Sequence, residues 1–411
     1  MSIVVQKFGG TSVADAEKIA RAARRAIRAK LEGKQVVMVV SAMGKTTDQL
    51  LALAAEINAT PPRREMDMLL TTGEQVSISL MAMAIAAAGH EAISFTGGQV
   101  GMVTNSAHTR ARIRSIDADR IHAQLEAGRI VIVAGFQGIT EEGAITTLGR
   151  GGSDTTAVAL AAVLQAEACE IYTDVDGVYT TDPRIVPQAR KMDRISYDEM
   201  LELASLGAGV MHSRSIEFGK KYQVPIHVRS SLTDSEGTMI MAETADMEQI
   251  VVRGVTLKRD LARVLLLGVP NKPGVAARIF ARIAEHNIVV DDIIQNVYEH
   301  GREANIGFTT TMADAKEAQV VCEKLTAEVG IREIEVDDSV AKVSVVGIGM
   351  KAHTGVASRM FNALAEDKVN IQNISTSEIV VSCLIDQKDG DRAVQLLHAA
   401  FELDKPDSNH A

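Results

Sequence analysis

The chain has 411 residues, a hydrophobic fraction of 46% and a formal net charge of −10. That length suits roughly two to four domains of about 100–200 residues each. The acidic balance argues against nucleic acid or an anionic membrane as partner, because both favour basic surfaces. Cys169, Cys322 and Cys383 are far apart, which is typical of reduced thiols. The apolar segment Val76–Ala88 is too short for a bilayer, so we expect a soluble cytoplasmic protein.

Up to about residue 240, short apolar runs alternate with stretches of helical apolar spacing. The predicted strands are Ile3–Phe8, Gln35–Ser41, Glu91–Phe95, Arg129–Ala134 and Cys169–Thr173. The predicted helices are Ala14–Leu31, Thr47–Ile57, Gln75–Ala88, Asp117–Ala127 and Thr155–Gln165. This alternation predicts a mainly parallel sheet with helices on both faces, which binds ligands at the carboxyl ends of its strands.

The first such strand end carries the run Lys7-Phe8-Gly9-Gly10-Thr11-Ser12, directly before a predicted helix. Glycines allow a ligand close to the backbone, and the free N–H groups of a helix start attract anions. The lysine adds a full positive charge beside them. The run therefore predicts a phosphate site, although an ordinary turn with glycines used for packing is an equal alternative.

A second glycine-rich run, Gly149–Thr156, leads into the helical stretch Ala157–Leu164. Its Ser153 and Asp154 are good helix-start residues, so a simple capped loop is one interpretation. The arginine between glycines, Arg150, favours another, because a guanidinium binds a carboxylate bidentately.

Two further loops carry polar groups with both a structural and a functional interpretation. In Thr71–Glu74, the acid either favours the dipole of the following helix or faces a ligand ammonium group. Tyr172–Tyr179 and Thr181–Arg184 are rich in turn residues and either hold a base and phosphates or form a surface loop. The histidines show no paired metal-ligand spacing, so we expect no protein metal site.

After Gly237 the chain repeats itself. The run Gly274–Phe280 matches Gly355–Phe361 at an offset of 81 residues. Each copy has the pattern of strand, turn, helix, strand, strand and helix, which predicts two βαββαβ units.

The glycine runs, together with Val40–Met43, Thr72–Glu74 and Thr173–Arg184, resemble those of the aspartate kinases in the amino acid kinase family. The duplicated units resemble the paired ACT domains of those enzymes. The resemblance implies an α/β amino acid kinase domain over residues 1–245, followed by ferredoxin-like ACT domains over 262–340 and 341–405. In this family the first ACT unit is usually inserted within the second. We therefore expect a strand within 249–257, around Gln249–Val255, to pair with the C-terminal unit.

The resemblance implies transfer of the γ-phosphoryl group of ATP, with Mg²⁺ on its phosphates, to the β-carboxylate of L-aspartate. Lys7 and Asp154 would be catalytic, with Asp154 positioning Lys7, because a carboxylate nucleophile has no proton to lose. The implied ATP-binding residues are Lys7, Phe8, Gly9, Gly10, Ser41, Thr173, Asp174, Tyr179 and Arg184. The implied aspartate-binding residues are Ser41, Thr47, Glu74, Arg150, Gly151, Gly152, Ser153 and Asp154.

One position departs from the family pattern. Aspartate kinases usually carry a lysine that helps to hold ATP where this chain has Gly209. Either another cation substitutes or nucleotide affinity is altered. Gly209 leaves open a catalytically weak amino-acid-sensing regulator. A kinase of the same fold for another small acid, such as glutamate, is a second alternative.

The resemblance also implies feedback inhibition by lysine, threonine or both, in the first step of the lysine, threonine and methionine pathway. ACT units commonly pair, so we expect a homo-oligomer. The expected effector residues are Asn271, Gly274, Val275, Ala276 and Gln295 in the first unit, and Thr354, Gly355, Val356, Asn373, Ser375 and Thr376 in the second.

Overall fold

The computed structural model describes residues 1–244, 247, 250–298 and 301–406. They form two compact units, each assembled from separate parts of the sequence. The first unit comprises Met1–Tyr179, Lys191–Ser205 and the described residues from Gly209 to 247. The second comprises Thr180–Arg190, Leu206–Ala208 and the described residues from 250 onward. The predicted boundary at 245 lies outside the described residues, as do residue 249 and the end of the chain from 407.

The first unit contains twelve strands and eight helices within its described residues. Its strands are β1 Ile3–Phe8, β2 Gln35–Val40, β3 Ala92–Phe95, β4 Val103–Thr104, β5 Ile113–Ser115, β6 Ile130–Ala134, β7 Gln137–Ile139, β8 Ile145–Thr147, β9 Ala168–Thr173, β10 Arg194–Ser196, β11 Ile226–Ser230 and β12 Thr238–Met241. Its helices are α1 Ala16–Leu31, α2 Thr46–Ile57, α3 Arg63–Leu70, α4 Thr72–Ala87, α5 Asp119–Glu126, α6 Gly152–Val163, α7 Tyr197–Ser205 and α8 Ser213–Tyr222.

Eight of these strands form one sheet in the order β10-β12-β11-β9-β1-β2-β6-β3. All neighbours run parallel except β11 and β12. The remaining four strands form a small separate sheet in the order β5-β4-β7-β8. The mainly parallel sheet and the predicted strands and helices are confirmed, with ends that agree to within three residues.

The central strands are buried along nearly their whole length, as expected for a parallel sheet covered on both faces. Phe8 of β1 and Tyr172 of β9 stack with ring centroids 4.7 Å apart. Because β1 pairs with both β2 and β9, the ends of these three strands lie side by side. This edge carries Lys7 of β1 and Thr173 of β9, and Ser41 follows β2 directly.

The prediction of a loop at Thr71–Glu74 is wrong. Thr71 has helical backbone angles (φ −66°, ψ −14°), so α3 passes almost directly into α4, and Glu74 lies in the first turn of α4. Over Arg63–Ala87 the two helices are, by length and composition alone, apolar enough to cross a membrane. In the fold, Ile78, Met81 and Ile85 pack into the core beneath the sheet.

The second unit contains eight strands and four helices within its described residues. The strands are β13 Gly254–Lys258, β14 Ala262–Pro270, β15 Asp291–Tyr298, β16 Glu303–Thr310, β17 Glu333–Asp337, β18 Val340–Val346, β19 Asn373–Thr376 and β20 Val380–Asp386. The helices are α9 Val275–Glu285, α10 Met312–Leu325, α11 Val356–Glu366 and α12 Gly390–Ala400.

The two copies of the repeat have equivalent sheets, ordered β17-β14-β16-β15 and β13-β18-β20-β19. The first copy takes its outer strand β17 from its own end, whereas the second takes β13 from before the first copy. This strand starts at Gly254, later than predicted, because 250–253 form a loop whose Val252 enters the core of the second copy.

The segment Thr180–Arg190 packs as part of the second copy of the repeat. Its Val186 belongs to the core that includes Val394 and Leu397 of α12. The hydroxyl of Thr180 lies 3.0 Å from Nε2 of His398 in a buried contact. The segment that carries Arg184 is therefore structurally continuous with the second unit.

Candidate active site

Lys7 and Asp154 form an ion pair at the carboxyl edge of the large sheet. Lys7 is the penultimate residue of β1, and Asp154 lies in the first turn of α6. Their Nζ and Oδ1 atoms are 2.6 Å apart, and both side chains are largely buried. An acid in a first turn is stabilised by the helix dipole, and here it also holds a lysine ammonium in place.

The glycine turn after β1 packs tightly against the chain that follows β2. A Cβ atom on Gly10 would lie 2.8 Å from the carbonyl oxygen of Ala42, so only glycine fits. The carbonyl of Gly10 accepts a hydrogen bond of 3.0 Å from the N–H of Gly44. The turn is thereby fixed beside Ser41, and a ligand can approach its backbone closely.

Glu74 is a buried carboxylate with one oxygen left free by the protein. Oε1 accepts a 3.1 Å hydrogen bond from the N–H of Ala42. Oε2 is buried and has no hydrogen-bond partner among the described residues. Burial raises the pKa of Glu74 to about 7. A buried acceptor without a partner is costly, so this oxygen is suited to a cationic ligand group.

The side chain of Arg150 is exposed and forms no ion pair with any described residue. Flanking Gly149 and Gly151 have φ angles of 79° and 68°, which glycine adopts without strain. A Cβ atom on Gly151 would lie 2.3 Å from that of His212. Arg214 holds this loop from α8 by donating to the Leu148 carbonyl at 2.9 Å.

Most of the predicted substrate and catalytic residues line one cavity of 1420 Å³. They are Lys7, Gly10, Ser41, Thr47, Glu74, Arg150, Gly151, Gly152, Ser153 and Asp154. Sequence reasoning missed Arg110, Arg112, His212, Arg214 and Glu217, which also line it. Arg110 and Arg112 belong to a loop without a recognisable motif, so the sequence held no signal for them.

The remaining predicted nucleotide-binding residues are not among those that line this cavity. Phe8 is fully buried. Gly9 lies beside Lys7: a Cβ atom placed on Gly9 would be 3.4 Å from the Lys7 Nζ. Thr173 ends β9, and its hydroxyl donates to the carboxylate of Asp174, the next residue, at 3.1 Å. Tyr179 donates to Asp176 at 2.9 Å. Arg184 is exposed and paired with Asp182 in the second unit, and its role stays a prediction.

The sequence profile of the amino acid kinase family matches residues 2–230, and ACT domain profiles match 263–330 and 343–401. An aspartate kinase of Stutzerimonas stutzeri is 51% identical over 100% of both chains. The chain belongs to the aspartokinases of the amino acid kinase family. Aspartokinase 2 of Bacillus subtilis is 52% identical, over 98% of this chain and 99% of its own.

Solved aspartokinase structures agree with this assignment. Escherichia coli aspartokinase III with aspartate and ADP, in the R-state, has a TM-score of 0.82 at 28% identity, over 97% of this chain and 99% of its own. The same enzyme with lysine and aspartate, in the T-state, has a TM-score of 0.79 at 28% identity and the same coverage. The resemblance drawn from the sequence and the fold it implied are confirmed.

At Gly209, where the family resemblance implies a lysine, the structure leaves room for a larger side chain. Gly209 is exposed, and a Cβ atom placed on it would meet no atom within 4 Å. The glycine is therefore not required by packing. Its effect on nucleotide binding stays a prediction.

The first ACT copy of this aspartokinase has a cavity of 440 Å³ at the start of α9. The predicted effector residues Asn271, Gly274, Val275, Ala276 and Gln295 all line it. In the second copy, Gly355 lines a separate cavity of 410 Å³ along α11. The other residues predicted there lie on either side of Gly355 or on the edge strand β19: Thr354, Val356, Asn373, Ser375 and Thr376.

Proposed function

We propose that this aspartokinase transfers the γ-phosphoryl group of ATP to the β-carboxylate of L-aspartate, giving 4-phospho-L-aspartate and ADP. The observation that carries the proposal is the content of one cavity. It combines an oxygen of Glu74 and a guanidinium of Arg150, both without a partner among the described residues, with the Lys7–Asp154 pair. The aspartate and ADP bound to the E. coli relative support the same reaction.

The first step is recognition of the α-amino acid. Glu74 receives the ammonium group on Oε2, which satisfies its missing partner. Arg150 binds the α-carboxylate bidentately. The hydroxyls of Thr47 and Ser153, both in the cavity lining, complete the pocket with Ser41 and the amides of Gly151 and Gly152. The β-carboxylate is then the one acidic group left free to react.

The second step brings two anions together. The ammonium of Lys7 and the amides of Gly9 and Gly10 stabilise the charge that develops on the transferring phosphoryl group. Mg²⁺ on the ATP phosphates neutralises further charge when bound. A carboxylate oxygen of aspartate forms the new P–O bond, and the bond to the β-phosphate oxygen of ADP breaks. Asp154 takes no proton; it holds the Lys7 ammonium at 2.6 Å in the position it needs.

No group of three potential metal-ligating side chains occurs in the described part of the chain. The phosphates of ATP and water are therefore the proposed ligands of Mg²⁺. We propose that the nucleotide itself extends over Ser41, Thr173, Asp174 and Tyr179, all of them in the first unit.

Regulation is the third part of the proposal. Lysine, threonine or both bind at the starts of α9 and α11, where helix N–H groups suit an amino acid carboxylate. The lysine bound to the T-state E. coli relative supports an amino acid effector. The exposed apolar Ile293 and Val297 on edge strand β15, and Ile374 on β19, favour a homo-oligomer formed through the ACT units. We place the enzyme in the cytoplasm, at the first step of lysine, threonine and methionine synthesis.

The test is ADP formation with a panel of acceptors: L-aspartate, D-aspartate, L-glutamate and succinate. We expect turnover with L-aspartate, and inhibition when lysine and threonine are added singly or together. Preference for glutamate would contradict the assigned substrate. No turnover with any acceptor would instead support a regulator without activity, the alternative suggested by Gly209.

A further inference from the structure

Asp67 is a fully buried carboxylate that accepts hydrogen bonds from two separate parts of the first unit. Its side chain is 0% exposed. Oδ2 lies 2.7 Å from Nδ1 of His108, and the N–H of Thr109 reaches both oxygens at 3.1 Å. The hydroxyl of Thr147 donates to Oδ1 at 2.6 Å. These four contacts come from three residues, and together they stabilise the buried carboxylate.

These contacts join the two structural elements that carry the proposed aspartate anchors. Asp67 lies on α3, which continues through Thr71 into α4 and so to Glu74. Thr147 is the last residue of β8, three positions before Arg150. The Asp67–Thr147 bond therefore links the helical segment of the ammonium anchor to the strand of the carboxylate anchor.

The same carboxylate also fixes the loop that carries two arginines of the cavity. Thr109 has a φ of 69°, a left-handed conformation that β-branched residues rarely adopt. Its N–H is held by Asp67, and Arg110 follows directly. A strained residue of this kind persists only where its surroundings enforce it.

We propose that Asp67 is a positioning residue, which sets the separation of Glu74 and Arg150 to that of an α-ammonium and an α-carboxylate. The inference rests on the proposed function, since it assigns those two roles to Glu74 and Arg150. Neither Asp67 nor His108 lines the cavity. Asp67 thus acts on the substrate only through the groups it holds.

The first test is Asp67→Asn. The asparagine keeps the shape of the side chain, but its NH₂ group then faces groups that themselves donate hydrogen bonds. We expect the KM for aspartate to rise about tenfold or more, while the KM for ATP changes less than twofold. A merely structural role would lower the melting temperature and affect both substrates alike.

A matched pair of substitutions at Thr147, which also lines the cavity, gives a second test. Thr147→Val removes the hydroxyl donated to Asp67, and Thr147→Ser retains it. The neighbouring Thr146 is equally buried, but its hydroxyl meets that of Thr104 at 2.6 Å. We expect Thr147→Val to raise the KM for aspartate. Thr147→Ser should have a KM close to that of the wild type, and Thr146→Val should leave the KM unchanged.

A double-mutant cycle then identifies the route of the effect. If Asp67 acts through Glu74, its loss should matter little once that anchor is gone. We expect Asp67→Asn to raise the KM for aspartate at least five times less in a Glu74→Gln background than in the wild type. An equal effect in both backgrounds would overturn the proposal.

The outcomes separate this inference from the function beneath it. A wild-type enzyme that does not phosphorylate aspartate refutes the proposed function. An active wild type, with Thr147→Val and Thr146→Val alike in their KM for aspartate, overturns the inference alone. Should Asp67→Asn fail to fold, His108→Ala, which removes one donor at the edge of the same carboxylate, carries the same expectation and the same refutation.

Discussion

Lys7 Nζ lies 2.6 Å from Asp154 Oδ1, and this contact joins the end of β1 to the first turn of α6. The two elements meet at the strand edge where parallel sheets bind their ligands. Since the lysine is largely buried, its ammonium has a preferred position even without substrate. A fixed ammonium favours a reaction between two anions, because the positive charge is in place before the reaction and the site need not reorganise to supply it.

The first prediction concerns that pair. Asp154→Asn leaves Lys7 without its anionic partner, so we expect kcat to fall about 100-fold or more with little change in the KM for aspartate. Steady-state kinetics measure this directly. Asp15→Asn is the control, because Asp15 caps α1 outside the cavity and asparagine caps equally well. A KM effect as large as the kcat effect would show that Asp154 binds substrate instead.

The second prediction follows from the pKa of Glu74, which burial raises to about 7. Only the ionised form pairs with an ammonium group. We therefore expect kcat/KM for aspartate to fall about tenfold per pH unit below that pKa. Glu74→Gln should lower kcat/KM at pH 8 and flatten this limb of the profile. An unchanged limb in the variant would assign the titration to another group.

The same group makes a prediction for stability. In the folded protein the pKa of Glu74 lies above the value of 4.5 for an unperturbed glutamate. The folded state therefore keeps the proton up to a higher pH than the unfolded state does. The contribution of Glu74 to the free energy of unfolding should be fully present below its unfolded pKa and should be lost as pH rises through about 7. Denaturant unfolding of Glu74→Gln should lack this part of the decline. An identical pH dependence in both proteins would contradict the assignment.

The fourth prediction tests the geometry of Arg150. Arg150→Lys keeps the charge but loses the planar fork, so we expect a rise of at least tenfold in the KM for aspartate. The KM for ATP should change little. If instead the KM for ATP rises and that for aspartate does not, Arg150 belongs to the nucleotide site.

The fifth prediction concerns Gly209, where open space surrounds the position of a Cβ atom. Gly209→Lys should therefore fold normally and leave the KM for ATP unchanged or lower. Gly209→Ala is the control for the loss of glycine itself. A large loss of activity in the lysine variant alone would show that the position does not correspond to the family lysine.

Much of the first unit could be predicted because its signals are local. Apolar runs of strand length predicted β1, β2, β6 and β9, and glycines next to charged residues drew attention to Lys7 and Arg150, which both line the cavity. The helix α3 and the small sheet escaped prediction. The strands of the small sheet have only two or three residues each, too few to show an alternation of apolar and polar residues.

The missed site residues share one physical cause. Asp67 and Arg214 make their contacts near the cavity with residues far away along the chain. Arg214 donates to Ala111 across 103 positions, and Asp67 accepts from Thr147 across 80. A buried aspartate in a helix looks, in sequence, like any exposed acid. Such contacts become visible only once the strands are assembled.

The most direct measurement of the central claim is trapping of the acyl phosphate. Wild-type enzyme with ATP, Mg²⁺, L-aspartate and hydroxylamine should yield the β-hydroxamate of aspartate, identified by mass spectrometry. Lys7→Met should yield at least 1,000-fold less under the same conditions, on the order expected for loss of a main charge-stabilising group. An α-hydroxamate, a glutamyl hydroxamate formed in preference, or no hydroxamate from the wild type would contradict the account.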